Sequence, residues 1–230
     1  MNTCSLVSLT ILLAGRCYSS QQADPGAVRP DTVLSSSRVN FSAGMGVSYV
    51  SAQDIVTLVN AAVVIGGRES EFKAAVVFFG AAAIPFSRDW VMKVEYGYLL
   101  GSYSITAFFG TSDFTFVTHM PSLIFQYILA DEGVYNVRVG MGGGYHFGEL
   151  TRRLSTIEDH FRGNGIGTLV DFEANTSFGD SFFGYLGGEL RWNFIGSLTN
   201  GSGKSPGAVG TETTLHFFGV GAKFGFTYYF

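Results

Sequence analysis

The side chains that could do chemistry are few and scattered. Nucleophilic catalysis needs a serine or cysteine within hydrogen-bond reach of a histidine, with a carboxylate behind it. Four histidines are available, and one local pairing stands out: His119 and Ser122 in "THMPS", separated by Met120 and Pro121. Nothing along the chain marks either as nucleophile or base. The stretch "GSGKSP" at 201–206 resembles the end of a phosphate-binding loop, but such a loop needs a glycine five positions before Gly203, and Leu198 stands there. Paired glycines (Gly44/Gly46, Gly140/Gly142, Gly219/Gly221) recur without completing a dinucleotide fingerprint. Their spacing of two makes them small residues on one strand face, or places where a strand bends. No Cys/His cluster has metal-ligand spacing. The chain reads as a non-enzyme without cofactor or metal.

What remains is a set of charges embedded in apolar surroundings, and composition says what kind. Only 14% of the 230 residues are charged, against roughly a quarter in a soluble domain. Mean hydropathy is +0.26. Glycine (31) and phenylalanine (22) are in excess. Yet no stretch approaches the roughly 18–20 uninterrupted apolar residues of a transmembrane helix. Hydrophobicity spread this evenly suits many alternating strands. With 14 basic and 18 acidic residues and no basic block, nucleic-acid binding is not expected.

The N-terminus reads as an export signal, residues 1–19. The apolar run "SLVSLTILLAG" at 5–15 precedes small residues at Cys17, Ser19 and Ser20, which suits cleavage near Ser19. A lipoprotein signal acylated at Cys17 is the rival, although Arg16 occupies a place where such signals want a small residue. Cys4 and Cys17 are the only cysteines, so cleavage leaves an exported chain stabilised by something other than disulfides. Residues 20–37, polar and broken by Pro25 and Pro30, read as a flexible lead-in.

From residue 38 to 230 the pattern has period two. Eight segments are expected, at about 39–50, 71–86, 90–103, 113–129, 134–149, 165–178, 182–195 and the C-terminal "GVGAKFGFTYYF". Short polar turns ("SRD", "ADEG", "GDS") join the second to the third, the fourth to the fifth and the sixth to the seventh. The other connections, 51–70, 104–112, 150–164 and 196–212, are expected to be long loops. Within the first, Ile55, Leu58, Val59, Ala62 and Val63 have helical spacing behind Ser51 and Asp54, a capping-box arrangement. Alternating short turns and long loops is the layout of an all-β, eight-stranded up-and-down antiparallel barrel in a membrane.

Which face is inside follows from volume. The interior of an eight-stranded barrel is just wide enough for side chains to fill. Rows of Phe, Tyr, Trp and Leu would overfill it, whereas glycine, serine and a few paired charges fit. The bulky face is therefore expected to meet lipid, and the other face to carry a lumen network of Lys93, Glu95, Arg138, His146, Asp171, Glu173, Glu189, Arg191 and Lys223. Four cations oppose four carboxylates, which is tolerable in confinement only when they pair. His146 is left uncommitted.

The eight segments, the three turns and the ending "KFGFTYYF" resemble the small eight-stranded outer-membrane barrels of the OmpA/OmpX/OmpW type. The resemblance implies a bacterial outer-membrane location, termini on the periplasmic side, and outer-membrane lipids as surroundings. It also implies that Phe224, Phe226, Tyr228 and Phe230 act as the signal read by the barrel-assembly machinery. The expected role is structural, surface-interacting or membrane-stabilising, with an unknown ligand at the loops. The alternative is a narrow porin-like channel or transporter for small or apolar solutes. Lipid modification is a further rival, but lipid-deacylating relatives carry His and Ser two apart, and here Pro121 stands two after His119.

Overall fold

A computed structural model describes residues 38–62, 72–107, 110–154, 157–207 and 212–230. The expected signal peptide and lead-in, and Val63, lie outside these. Eight antiparallel strands form a closed barrel in sequence order. They are β1 (Asn40–Ser51), β2 (Phe72–Pro85), β3 (Trp90–Ala107), β4 (Gly110–Asp131), β5 (Tyr135–Leu154), β6 (Ile157–Ser177), β7 (Phe182–Ser197) and β8 (Thr214–Tyr229). One helix, α1 (Gln53–Ala62), follows β1. The tight connections cluster at one end, the turn end; α1 and the tips of the long strands mark the other, the loop end. In the β4–β5 turn Gly133 has φ 75° and its N–H reaches Asp131 Oδ1 at 3.1 Å, a conformation that glycine adopts without a Cβ clash.

Closure depends on β1 meeting β8, from Asn40↔Tyr229 to Ser51↔Phe218. Gly44 faces Gly225 across this seam, and a Cβ on either would run into the backbone opposite. Arg38, two residues before the first strand, clasps the seam at the turn end. Its guanidinium donates to the carbonyls of Phe230 (2.9 Å), Tyr229 (2.9 Å) and Asp180 (3.0 Å) and to Ser181 Oγ (3.0 Å). Lipid offers no replacement for an unmade backbone bond, so a closed ladder is the condition for strands to span it.

Two expectations need correction. The stretches 104–112 and 150–164 are mostly strand, not loop. β3 pairs with β4 up to Ala107↔Gly110, and β5 with β6 up to Leu154↔Ile157, so these four strands run 18 to 22 residues. The lumen is also not lined by small and charged residues throughout. Its loop-end half is filled by Leu99, Tyr103, Phe114, Phe116, Met120, Leu150, Phe161, Ile195, Leu215 and Phe217, all buried. Ile55, Val56 and Val59 of α1 pack into this same cluster, and Asp54 accepts a hydrogen bond from Thr214 Oγ1 of β8. The helix thus caps the barrel.

Both corrections have one cause. In the turn-end part, outward residues such as Met45, Val94, Phe125, Met141 and Phe224 are exposed and apolar, while the inward face carries the charged and amide side chains, with Phe79, Val91, Ile124 and Leu169 packed among them. Above Leu100, His119, Phe147 and Ile166 the outward residues become Ser102, Ser104, Thr115, Asp113, Glu149, Thr151, Arg153, Glu158, His160 and Arg162. There the large apolar side chains turn inward. The barrel is inverted where lipid surrounds it and ordinary where water does. On β5 the apolar outward run from Tyr135 to Phe147 corresponds to about 30 Å along the normal at roughly 40° of tilt, the thickness of a hydrocarbon core. Exposed aromatics rim the turn end, with Trp90 on Tyr127 (centroids 5.2 Å) and Phe41 on Phe230 (5.5 Å).

The switch in polarity predicts unequal costs for the same residue. Met141→Arg, at the centre of the lipid band, is expected to destabilise the barrel in vesicles by about 2–4 kcal/mol. Thr115→Arg, outward but beyond the band, should stay within about 0.5 kcal/mol of wild type. Urea unfolding in lipid vesicles measures both, and equal costs would contradict the boundary.

Candidate functional site

The lumen is where the polar chemistry collects. The nine expected residues all point inward, and none is more than 3% exposed. Each sits on the face of its strand opposite the lipid-facing residues, because successive side chains alternate. Strand register then sets who meets whom. Lys93 Nζ lies 2.8 Å from Asp171 Oδ2, 3.0 Å from Glu173 Oε2 and 3.4 Å from Glu95 Oε2. Lys223 Nζ lies 2.6 Å from Glu95 Oε1 and 2.7 Å from Glu189 Oε2. Arg191 Nη2 reaches Glu189 Oε2 at 2.9 Å and Glu95 Oε1 at 3.3 Å, and Arg138 Nη1 is 3.5 Å from Glu173 Oε1. Four cations and four carboxylates thereby join into one connected belt across the lumen.

Neutral side chains that the sequence reading passed over complete the belt. Gln126 Nε2 donates to Asp171 Oδ2 (2.7 Å) and Glu173 Oε2 (2.9 Å), and Asn175 Nδ2 to Glu173 Oε1 (2.7 Å). Toward the turn end, Asn136 Nδ2 and Arg138 Nη2 donate to Tyr229 OH at 2.9 and 3.1 Å. Lys223 stands over the Phe79 ring (5.2 Å) and Lys93 over Tyr185 (5.7 Å). Their signal was present: each lies at inward parity on its strand. Amides and aromatics at such positions simply carry no charge to draw notice.

His146 stays outside the ionic belt. Its Nε2 is 3.3 Å from Ser122 Oγ, and its Nδ1 bonds the side-chain oxygen of Asn193. So Ser122 does meet a histidine, but not His119. That residue points outward, where its Nδ1 is 2.5 Å from Tyr96 OH. The Ser122–His146 contact crosses from β4 to β5, which linear spacing cannot reveal. Lys204, in "GSGKSP", lies in an exposed turn whose backbone N–H groups are received by Asn200.

The four C-terminal aromatics Phe224, Phe226, Tyr228 and Phe230 all face outward and are exposed. On the outer wall of the loop end, cross-strand pairs form a ladder: Glu149 with Arg162 (2.9 Å), Thr151 with His160 (3.2 Å) and Arg153 with Glu158 (2.7 Å). Hydrogen bonding from Arg153 holds the Glu158 carboxyl below its ordinary range. A cleft of about 680 Å³ opens beside this ladder, lined by Glu149, Thr151, His160, Arg162, Thr199, Asn200 and Gly201. Among the described residues no group of three His, Cys, Asp or Glu could hold a metal ion.

No family model matches the chain, and no curated protein matches its sequence. Solved structures match its fold. The Neisserial surface protein A superposes with a TM-score of 0.51 at 12% identity, covering 84% of this chain and 97% of that one. Ail, the attachment invasion locus protein of Yersinia pestis, gives 0.51 at 9% identity, with 84% and 99% covered. At such identities the likeness is one of fold: this is the eight-stranded up-and-down barrel of outer-membrane proteins.

The belt makes a specific prediction about stability. Lys223→Met leaves Glu95 and Glu189, both buried, each short of a cation. The expected cost is about 3–5 kcal/mol, since stranding a buried charge is worse than deleting a pair. Adding Glu189→Gln should recover part of that loss. Both are read from urea midpoints, followed by the heat-dependent gel shift of the folded barrel.

Proposed function

We propose that the protein is a structural and surface-interacting barrel of the outer membrane of a didermic bacterium. The observation that carries this is the filled lumen. The described interior holds an ionic belt across the membrane and, above it, an apolar plug capped by α1. Binding in such a molecule belongs to its outside, and the protruding β3–β4 and β5–β6 hairpins supply the surface. The termini and short turns are assigned to the periplasm, with the hairpins and α1 facing outward. The lipid band, with aromatics at its edges, takes outer-membrane lipid as its immediate partner.

A second reading is favoured by one feature, the apolar loop-end half of the lumen: passage of small apolar solutes on displacement of α1. Planar-bilayer recording of the refolded protein separates the two. Silent bilayers at protein densities that give steps with a known porin are expected, and discrete openings would replace the first reading with the second.

The C-terminal strand is assigned a role in assembly. Phe230 donates its N–H to Val39 O at 3.0 Å and packs its ring on Phe41 and Tyr228 (5.5 and 4.8 Å), outside the lumen belt. Deleting Phe230 is therefore expected to reduce outer-membrane insertion in cells several-fold. The purified variant should still refold in detergent to a heat-modifiable barrel. Equal losses in cells and in detergent would assign Phe230 to stability instead.

A further inference from the structure

One buried nucleophile in the lumen lies at the edge of the ionic belt, where Arg191 reaches it. Ser122, on β4, is 4% exposed. Its Oγ lies 3.3 Å from His146 Nε2 on β5, while His146 Nδ1 meets Asn193 Oδ1 on β7. An amide oxygen only accepts, so Nδ1 carries the ring proton, and the lone pair on Nε2 faces Ser122 Oγ, whose proton has two acceptors at 3.3 Å, this Nε2 and the Met120 carbonyl oxygen. That tautomer is the one a general base requires. Arg191 Nη1 adds a cationic donor 3.2 Å from the same Oγ, while Nη2 is bound to Glu189 and Glu95. The imidazole is also held in place by shape: a Cβ on Gly167 would overlap both the His146 ring and Asn193 Oδ1. Serine, base and orienting amide thus come from three strands, in the order found in nucleophilic acyl-transfer sites.

From this geometry we infer that Ser122 is an activated nucleophile for acyl transfer, with His146 as its base and Asn193 as a positioning residue. The substrate class follows from the surroundings. Toward the loop end the next inward side chains are Met120 on β4 and Ile195 on β7, and a Cβ on Gly148 would touch Leu215 and Ile195. Such walls cannot solvate a charged ligand, so the substrate is a neutral carboxylic ester with an apolar acyl chain. Its route is from the loop end, past α1, which apolar packing of Ile55, Val56 and Val59 holds in place.

The steps balance without an oxidant or metal. Ser122 Oγ attacks the carbonyl carbon as its proton passes to His146 Nε2. The bond from that carbon to the alcohol oxygen breaks, and His146 returns the proton to the leaving alcohol. Water, deprotonated by His146, then attacks the acyl-serine and releases the carboxylic acid, restoring Ser122. Arg191 offsets negative charge on Oγ as it leaves the acyl group. This activity requires the apolar plug to part when α1 moves, so it rests on the displacement of α1 named in the second reading above and not on the filled lumen of the first.

The test uses the full-length barrel refolded in detergent, with folding checked by heat-modifiable migration. The probes are diisopropyl fluorophosphate, read by intact and peptide mass spectrometry, and para-nitrophenyl butyrate hydrolysis. The expected result is one diisopropylphosphoryl adduct on Ser122, formed with loss of fluoride, and measurable ester hydrolysis, both abolished in Ser122→Ala. His146→Gln should slow both at least about 100-fold, the usual worth of a general base. Asn193→Ala should slow hydrolysis and alter its pH profile, and it replaces His146→Gln as the test of the relay if that variant does not fold. Ile55→Asp, which loosens α1, should speed adduct formation about 10-fold or more by opening the route. Absence of adduct in both folded wild type and folded Ile55→Asp would show a hydrogen-bond chain that is structural only. An adduct forming at the same rate without His146 or Asn193 would overturn the assigned roles.

Discussion

Everything in this structure depends on closing β1 against β8. Hydrocarbon supplies neither donors nor acceptors, so a strand edge left open within it would cost several kcal/mol for each backbone group. The chain meets this constraint with a continuous ladder, a glycine pair where the backbones come closest, and a clasp from Arg38 onto the final carbonyls. Eight strands closed this way leave a narrow tube. Its interior must then be filled to native density, whatever function the protein performs.

The filling changes with height because the surroundings change. Where lipid surrounds the barrel, apolar residues gain little by turning inward, and the lumen takes up the charged and amide groups, which pair with one another among a few apolar side chains such as Phe79 and Ile124. Where the wall rises into water, the ordinary hydrophobic effect returns and draws Phe114, Phe116, Phe161 and Leu215 inside, with α1 pressed onto them. The ionic belt and the apolar plug are thus two answers to one packing problem. A belt of this kind adds little net stability over an apolar filling, but it is intolerant of losing one member. The Ser122–His146–Asn193 group sits where the two fillings meet, which gives it both a cationic neighbour and an apolar approach.

The barrel itself was legible in the sequence because its signal is local. Period-two alternation, tight polar turns and excess glycine and aromatic residues report directly on strands and on their two faces. The inward charges were legible for the same reason: parity alone assigns Lys93, Glu95 and Lys223 to one side. Less legible was the height at which the surroundings change. On β4 the large apolar residues move from even positions (Phe114, Phe116) to odd ones (Leu123, Phe125), and on β5 from Phe147 to Leu150. That shift of parity could be read as a boundary, but across a presumed loop it resembles a lapse in the pattern.

Sequence alone determined the number of strands, their facing and the nature of the lipid-exposed band, since these follow from neighbours one or two residues apart. Tertiary structure alone decided which charges pair, that His146 rather than His119 meets Ser122, and that α1 enters the barrel mouth. Those contacts depend on register between strands and on how the ring closes. A shift of two residues in any ladder would preserve every facing and change every partner.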